Sequence, residues 1–212
     1  MRAKLADRIR DVLYALLVLV LWPGIKVLFR LKVSGRENLR GGGILAAPHR
    51  SYWDTVILGV ACGPFRRITF LARHGLLRNP LLGPLVLLFA VPIDRESFGV
   101  DDFRRSVAAA RRAQLLGIFP EGTTRPGARP KTGAVRFAEL LERPLIPVNI
   151  VARGPYPPRR FLRIPVRFPR IEVRIGRPVA VAELGRDLPA DLSRSERHRA
   201  LTARLMDLIR AT

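Results

Sequence analysis

Apolar positions recur along this chain with two different periods, and from about residue 43 the two alternate. Gly43 to Ala47 reads as a short strand, Tyr52 to Ala61 as a helix and Ile68 to Ala72 as a second strand. Val91-Pro92-Ile93 reads as a further strand end. Val100, Phe103, Val107 and Ala110 fall on one helical face, and Leu115 to Phe119 follows as a buried strand. Ala134 to Leu141 predicts a helix, Leu145 to Val151 a nearly continuous apolar strand, and Ile171 to Ile175 an alternating, partly exposed one. Ser193 and Glu196 have capping-box spacing ahead of Leu201, Leu205, Leu208 and Ile209, which share a face. Strands alternating with helices predict an α/β fold, a layered, mostly parallel or mixed sheet flanked by helices. That domain takes residues 31–212, and residues 1–30 form an N-terminal helical segment of a different kind.

In that segment residues 12 to 22 are unbroken apolar chain, and after Pro23-Gly24 the run resumes through Ile25, Val27, Leu28 and Phe29. The basic start (Arg2, Lys4, Arg8, Arg10) suits a signal peptide, but Trp22-Pro23-Gly24 is no small-residue cleavage site. The first run covers about 16 Å of a roughly 30 Å hydrocarbon core, and the Pro-Gly pair is expected to break a helix extended to span it. A half-inserted or interfacial helical segment therefore fits better than a clean span, with a buried core helix as the competing structural reading.

Composition narrows the class. Of 212 residues 48% are apolar and 26% charged, which excludes both a disordered polyelectrolyte and a multispan channel. One cysteine, Cys62, excludes an intramolecular disulfide framework, and three scattered histidines offer no cluster at zinc-ligand spacing, so neither metal nor cofactor is expected. The net charge of +21 asks for an acidic partner: nucleic acid, an anionic membrane surface or a phosphorylated substrate. Only four of the 38 basic residues are lysine, so part of this excess fits a compositional bias. Between residues 153 and 177 eight arginines face a single acid, Glu172. Such a run is either a solvated face or a docking surface for anionic headgroups or an acidic acyl carrier.

Three stretches carry candidate chemistry. His49 precedes Asp54 by five residues where a strand enters a helix, the place where α/β sheets put their sites. If Ser51 caps that helix, Asp54 lies in its first turn and faces the imidazole. A carboxylate accepting the proton of one ring nitrogen leaves the other free to take a proton from a hydroxyl. Phe119-Pro120-Glu121-Gly122-Thr123-Thr124-Arg125 leaves a buried strand for a glycine-containing turn. Gly117 and Gly122 have the glycine spacing of a P-loop, but Thr123 stands where its lysine belongs, so nucleotide hydrolysis is unsupported. A turn with backbone amides, hydroxyls and Arg125 still suits a phosphate ester. Val91 to Arg95 delivers Arg95 at a strand end, either for an anion or for a solvated salt bridge with Asp94 or Glu96. Lys131, ahead of a predicted helix, is a further phosphate candidate, with an ordinary surface lysine as the competing reading. Leu81 to Ala90 is apolar enough for an acyl-chain tunnel, although core packing accounts for it equally simply.

In this order, His49 with Asp54, Ile93-Asp94-Arg95, Phe119 to Thr123, and Ile146-Pro147, the chain resembles the glycerolipid acyltransferases with their HxxxxD motif, more narrowly the bacterial 1-acylglycerol-3-phosphate acyltransferases. The resemblance covers residues 25 to 180, and departs where Pro48 precedes the histidine, Thr124 extends the turn and Pro126 follows Arg125. It implies an O-acyltransferase of phospholipid biosynthesis that moves a fatty acyl group from a thioester, acyl-CoA or acyl carrier protein, to a lysophospholipid hydroxyl. His49 would be the general base oriented by Asp54. The family's acceptor-binding residues map onto Arg95, Glu121, Gly122, Thr123 and Arg125. It also implies work at the cytoplasmic face of an anionic cell membrane and no nucleic-acid partner. Glycerol 3-phosphate, a lipid amine or a sugar are the alternative acceptors. A non-catalytic basic protein binding nucleic acid or membrane is the alternative class, and it leaves His49 with Asp54 unexplained.

Overall fold

The computed structural model describes residues 2–80, 82–94, 99–159 and 167–212. Seven strands form one sheet: β1 (Lys32–Ser34), β2 (Gly43–Ala46), β3 (Ile68–Arg73), β4 (Ala90–Ile93), β5 (Leu115–Ile118), β6 (Leu145–Arg153) and β7 (Arg170–Ile175), in the order β1-β7-β6-β2-β5-β3-β4. Every neighbouring pair is parallel except β6 with β7. Among the described residues seven α-helices surround it: α1 (Arg2–Leu28), α2 (Trp53–Cys62), α3 (Leu82–Phe89), α4 (Val100–Arg112), α5 (Gly133–Leu141), the single turn α6 (Val181–Leu184) and α7 (Arg194–Ala211).

Alternation along the central strands divides the core into two layers. Leu45, Leu115, Ile146 and Val148 point to the layer built by α1 and α2 with Ile25, Phe29, Ile57 and Leu58. Ile44, Ala46, Leu116 and Leu145 point to the opposite layer, under α4, α5 and α7 with Ala110, Val135, Leu201 and Leu205. Because both faces are covered, these strands read as continuous apolar runs rather than alternating ones. The capping box is present: the Ser193 hydroxyl accepts from the Glu196 amide, and the Glu196 carboxylate accepts from the Ser193 amide at 3.0 Å.

Two expectations need correction. α1 runs unbroken through Pro23-Gly24. Proline inside a helix costs about 3 kcal/mol, but the turn beyond it buries Ile25 and Phe29, each worth roughly 1.5–3 kcal/mol, so packing outweighs the lost backbone bond. α4 is rotated from the face that its apolar residues suggest: Asp102, Ser106 and Ala110 are buried, whereas Val100 and Phe103 are exposed. Small residues at 106 and 110 let the helix approach the sheet, and Asp102 goes under because Arg105 pairs with it at 2.6 Å.

α1 is neither a core helix nor a detached one. Tyr14, Val18 and Ile25 are buried against the domain, the Tyr14 hydroxyl donates to the Gly59 carbonyl of α2 at 3.3 Å, and Arg67 pairs with Asp11 at 2.6 Å. The opposite face presents Leu5, Ile9, Val12, Leu16, Val20 and Val27 to solvent, Val20 at 77% exposure. Residues Leu5–Leu28 are long and apolar enough to cross a membrane by length and composition.

Candidate active site

The site lies where β2 and β5, adjacent and parallel, end side by side. β2 runs out at Ala46, and Ala47-Pro48 carries the chain to His49 before α2 begins at Trp53. The Ser51 hydroxyl oxygen accepts from the Trp53 amide at 3.2 Å while its own proton goes to the Pro158 carbonyl at 2.5 Å. Asp54, in the first turn of α2, is fully buried, a position that costs heavily unless every oxygen is satisfied. Its Oδ2 accepts from the amides of Arg50 at 2.7 Å and Ser51 at 2.8 Å and lies 3.3 Å from His49 Nδ1. Its Oδ1 accepts from the Tyr156 hydroxyl at 2.6 Å. Three donors besides the imidazole fix this carboxylate as an acceptor, so Nδ1 carries the proton and Nε2 the lone pair.

The imidazole is clamped from the other side as well. It stacks on Phe119 at 4.0 Å between centroids and 14° between planes, and Phe119 stacks in turn on Phe70 at 5.7 Å and 7°. Gly117 makes room for this stack, since a Cβ there would fall 2.4 Å from the Phe70 ring. The P-loop-like spacing of Gly117 and Gly122 thus has a packing cause at its first member. The His49 amide donates to Glu121 Oε2 at 2.9 Å, tying the turn after β5 to the loop after β2. Only 8% of the His49 side chain remains exposed, and among the described residues Nε2 has no hydrogen-bond partner. That free nitrogen is the group an acceptor hydroxyl would have to meet.

Gly122 adopts φ +62°, in the left-handed region, and its amide donates to the Phe119 carbonyl at 2.9 Å, closing the turn. The stem of Lys131 runs beside it, 3.8 Å from where a Cβ would stand, and the Lys131 amide donates to the Pro120 carbonyl at 2.8 Å. Thr123 follows with its hydroxyl accepting from the Arg125 amide at 3.3 Å, and the Arg125 side chain is exposed. The structure therefore brings His49, Asp54, Glu121, Gly122, Thr123, Arg125 and Lys131 into one loop cluster. Arg95 lies outside the described residues, as do Arg160 and Arg163 of the arginine-rich stretch.

Two groups that could have carried an acyl chain covalently are sequestered. Ser51 is fully buried with its hydroxyl committed at both ends, and Cys62 is buried in the core with its thiol pushed up to about 12 by burial. Sequence reasoning missed Tyr156, which stands 102 residues beyond Asp54 with no spacing to betray it. Its one signal is local: an aromatic among Gly154, Pro155, Pro157 and Pro158, just past the longest apolar strand.

A parallel-rich sheet with a histidine and a buried carboxylate at its strand ends, facing a glutamate-glycine turn, defines a class that comparison makes specific: the chain belongs to the acyltransferase family, whose model matches residues 30–151. Among named relatives it is similar to the 1-acyl-sn-glycerol-3-phosphate acyltransferase of Bacillus subtilis, 29% identical over 184 residues, 85% of this chain and 86% of that one. The namesake from Borreliella burgdorferi is 31% identical over 147 residues, 61% of this chain and 53% of that one. That of Streptococcus pneumoniae is 27% identical over 143 residues, 66% and 51% respectively. The chain thus spans about half the length of these last two relatives. The 1-acyl-sn-glycerophosphate (LPA) acyltransferase PlsC of Thermotoga maritima shares the fold, with a TM-score of 0.59 at 17% identity over 98% of this chain and 92% of the other.

Proposed function

We propose that this protein transfers a fatty acyl group from a thioester donor, acyl-CoA or acyl carrier protein, to the free hydroxyl of 1-acylglycerol 3-phosphate, giving phosphatidic acid. The observation that carries the reading is the imidazole held between Asp54 and Phe119, with Nδ1 turned to the carboxylate and Nε2 left without a hydrogen-bond partner among the described residues. Nε2 removes the acceptor's hydroxyl proton as the oxygen attacks the thioester carbonyl. The tetrahedral oxyanion collapses, the carbon–sulfur bond breaks, and the departing thiolate takes the proton back from His49. Direct attack suits a site whose Ser51 hydroxyl is buried and committed, in a chain whose one cysteine is enclosed in the core.

The acceptor's phosphate falls to Thr123, Arg125 and Lys131, with Arg95 added by resemblance, because these supply donors and positive charge within reach of the turn. Glu121 serves that site by holding the turn against the His49 backbone. The same enzyme works at an anionic membrane, at its cytoplasmic face. Tied to α2 through Tyr14, α1 lies along the surface and buries its outer face in one leaflet, rather than crossing alone. The decisive experiment supplies purified protein with a panel of lysolipids, glycerol 3-phosphate and both donor types, and measures thiol release. Phosphatidic acid formed from 1-acylglycerol 3-phosphate is the expected product; preference for an acceptor without phosphate would overturn the assignment.

A further inference from the structure

We infer that Tyr156 is a positioning residue of the reaction, a phenol that holds Asp54 in place and moderates its pull on the His49 imidazole. The inference rests on the proposed base role of His49. It starts from the one carboxylate oxygen that the histidine loop does not satisfy. Asp54 Oδ2 is saturated by the Arg50 and Ser51 amides and the imidazole, so Oδ1 needs a donor from elsewhere in the chain. The donor comes from the segment after β6: Tyr156 gives its proton to Oδ1 at 2.6 Å, the short distance expected of a charge-assisted bond.

Three further contacts keep that segment over the histidine loop. The Ser51 hydroxyl donates to the Pro158 carbonyl at 2.5 Å, the Tyr52 amide donates to the Arg159 carbonyl at 3.2 Å, and the Arg50 guanidinium lies 4.7 Å above the Tyr156 ring. Arg50 is itself fixed by donating to the Ile150 carbonyl of β6 at 3.1 Å. Burial first, and then the neighbouring charge of Asp54, push the phenol well above its usual range, so it remains a donor at every working pH.

A hydrogen bond to Oδ1 draws charge away from Oδ2, and the carboxylate then attracts an imidazolium less. The other groups facing these rings are Arg50 and Glu121, with Tyr52 6.1 Å from the imidazole, and none of them reaches Oδ1. Removing the phenol proton therefore makes His49 more basic and lets Asp54 rotate. Since only the neutral imidazole acts as base, the acid limb of the kcat/KM profile moves to higher pH.

The test compares wild type, Tyr156→Phe and His49→Ala with the same donor and acceptor. Tyr156→Phe is expected to lower kcat roughly tenfold, to leave both KM values within about twofold, and to move the acid limb upward. Replacing Tyr156 by a ring-fluorinated tyrosine, which keeps the shape and strengthens the donor, should move the limb downward and keeps the question answerable should the phenylalanine variant fold poorly. A folded Tyr156→Phe with wild-type kcat and limb overturns the inference while an inactive His49→Ala leaves the base reading intact. Retained turnover in His49→Ala overturns the base reading instead.

Discussion

On the proposed mechanism the chemistry turns on His49 and Asp54, and their substitution separates base from orienter. His49→Ala should lower kcat by about 10² to 10⁴-fold while the circular dichroism spectrum stays native, because general-base removal costs that much and the ring packs at the edge of the core. Asp54→Asn should be nearly as severe, since an amide can present a donor to Nδ1 and stabilise the wrong tautomer. On the acceptor side, Arg125→Ala and Lys131→Ala should raise the KM for the phosphorylated acceptor about tenfold and leave that of the donor unchanged; a rise confined to the donor would move both residues to the carrier site. The His49 and Asp54 pairing could be foreseen because five residues at a strand-to-helix junction keep the two side chains on one local structure. The Tyr156 contact and the Phe119 stack could not, since each joins segments whose proximity only the sheet order creates.

Elements were legible wherever period and punctuation agreed. β2, β3, β5 and β6 are buried enough to show as apolar runs, β7 shows through its alternation, and the last helix announces itself through its cap. Ser193→Ala should cost about 1 kcal/mol, a fall of roughly 2–4 °C in the melting temperature. Hydrogen bonds from Ser193 hold the Glu196 carboxyl below its usual range. Its contribution is therefore present above the ordinary carboxylate pKa of about 4.3 and is lost as pH falls through the depressed value, so the gap between the two proteins should narrow in acid. Where the pattern misled, tertiary contact decided. Pro23 punctuates α1 in the sequence, but the pockets that receive Ile25 and Phe29 keep the helix going. α4 advertises Val100 and Phe103 yet turns Ser106 and Ala110 to the sheet, because closeness favours the smaller residues.

At the scale of the whole molecule, α1 packs one face on the domain and presents an apolar face outward, which on the proposed reading meets the membrane. Its inner face is part of the core, so deleting residues 1 to 30 would remove Phe29 from the domain and confuse unfolding with release. Charge placed on the outer face avoids this. Leu16→Glu with Val20→Glu should leave thermal unfolding nearly unchanged and turn binding of anionic vesicles from salt-resistant to salt-sensitive. The remaining attraction is electrostatic and is screened within about 8 Å at physiological ionic strength. Unchanged vesicle binding in that variant would mean that the outer face of α1 does not enter the lipid. The order β1-β7-β6-β2-β5-β3-β4 itself was beyond reach of the sequence, which shows alternating elements but not which strand lies beside which, nor that β6 runs parallel beside β2, so that the segment carrying Tyr156 leaves its end over the histidine loop.

The burial of Cys62 bears on how all these quantities are read. In the proposed reaction each turnover liberates one thiol, and a colorimetric thiol reagent attacks only thiolates that it can reach. With its sole sulfhydryl enclosed at the end of α2 and held protonated, the native enzyme should titrate as thiol-free, and as one thiol per chain after denaturation. Reaction progress can then be followed continuously at high enzyme concentration with a flat baseline, which is the condition needed to see the slow turnover of the His49 and Tyr156 variants.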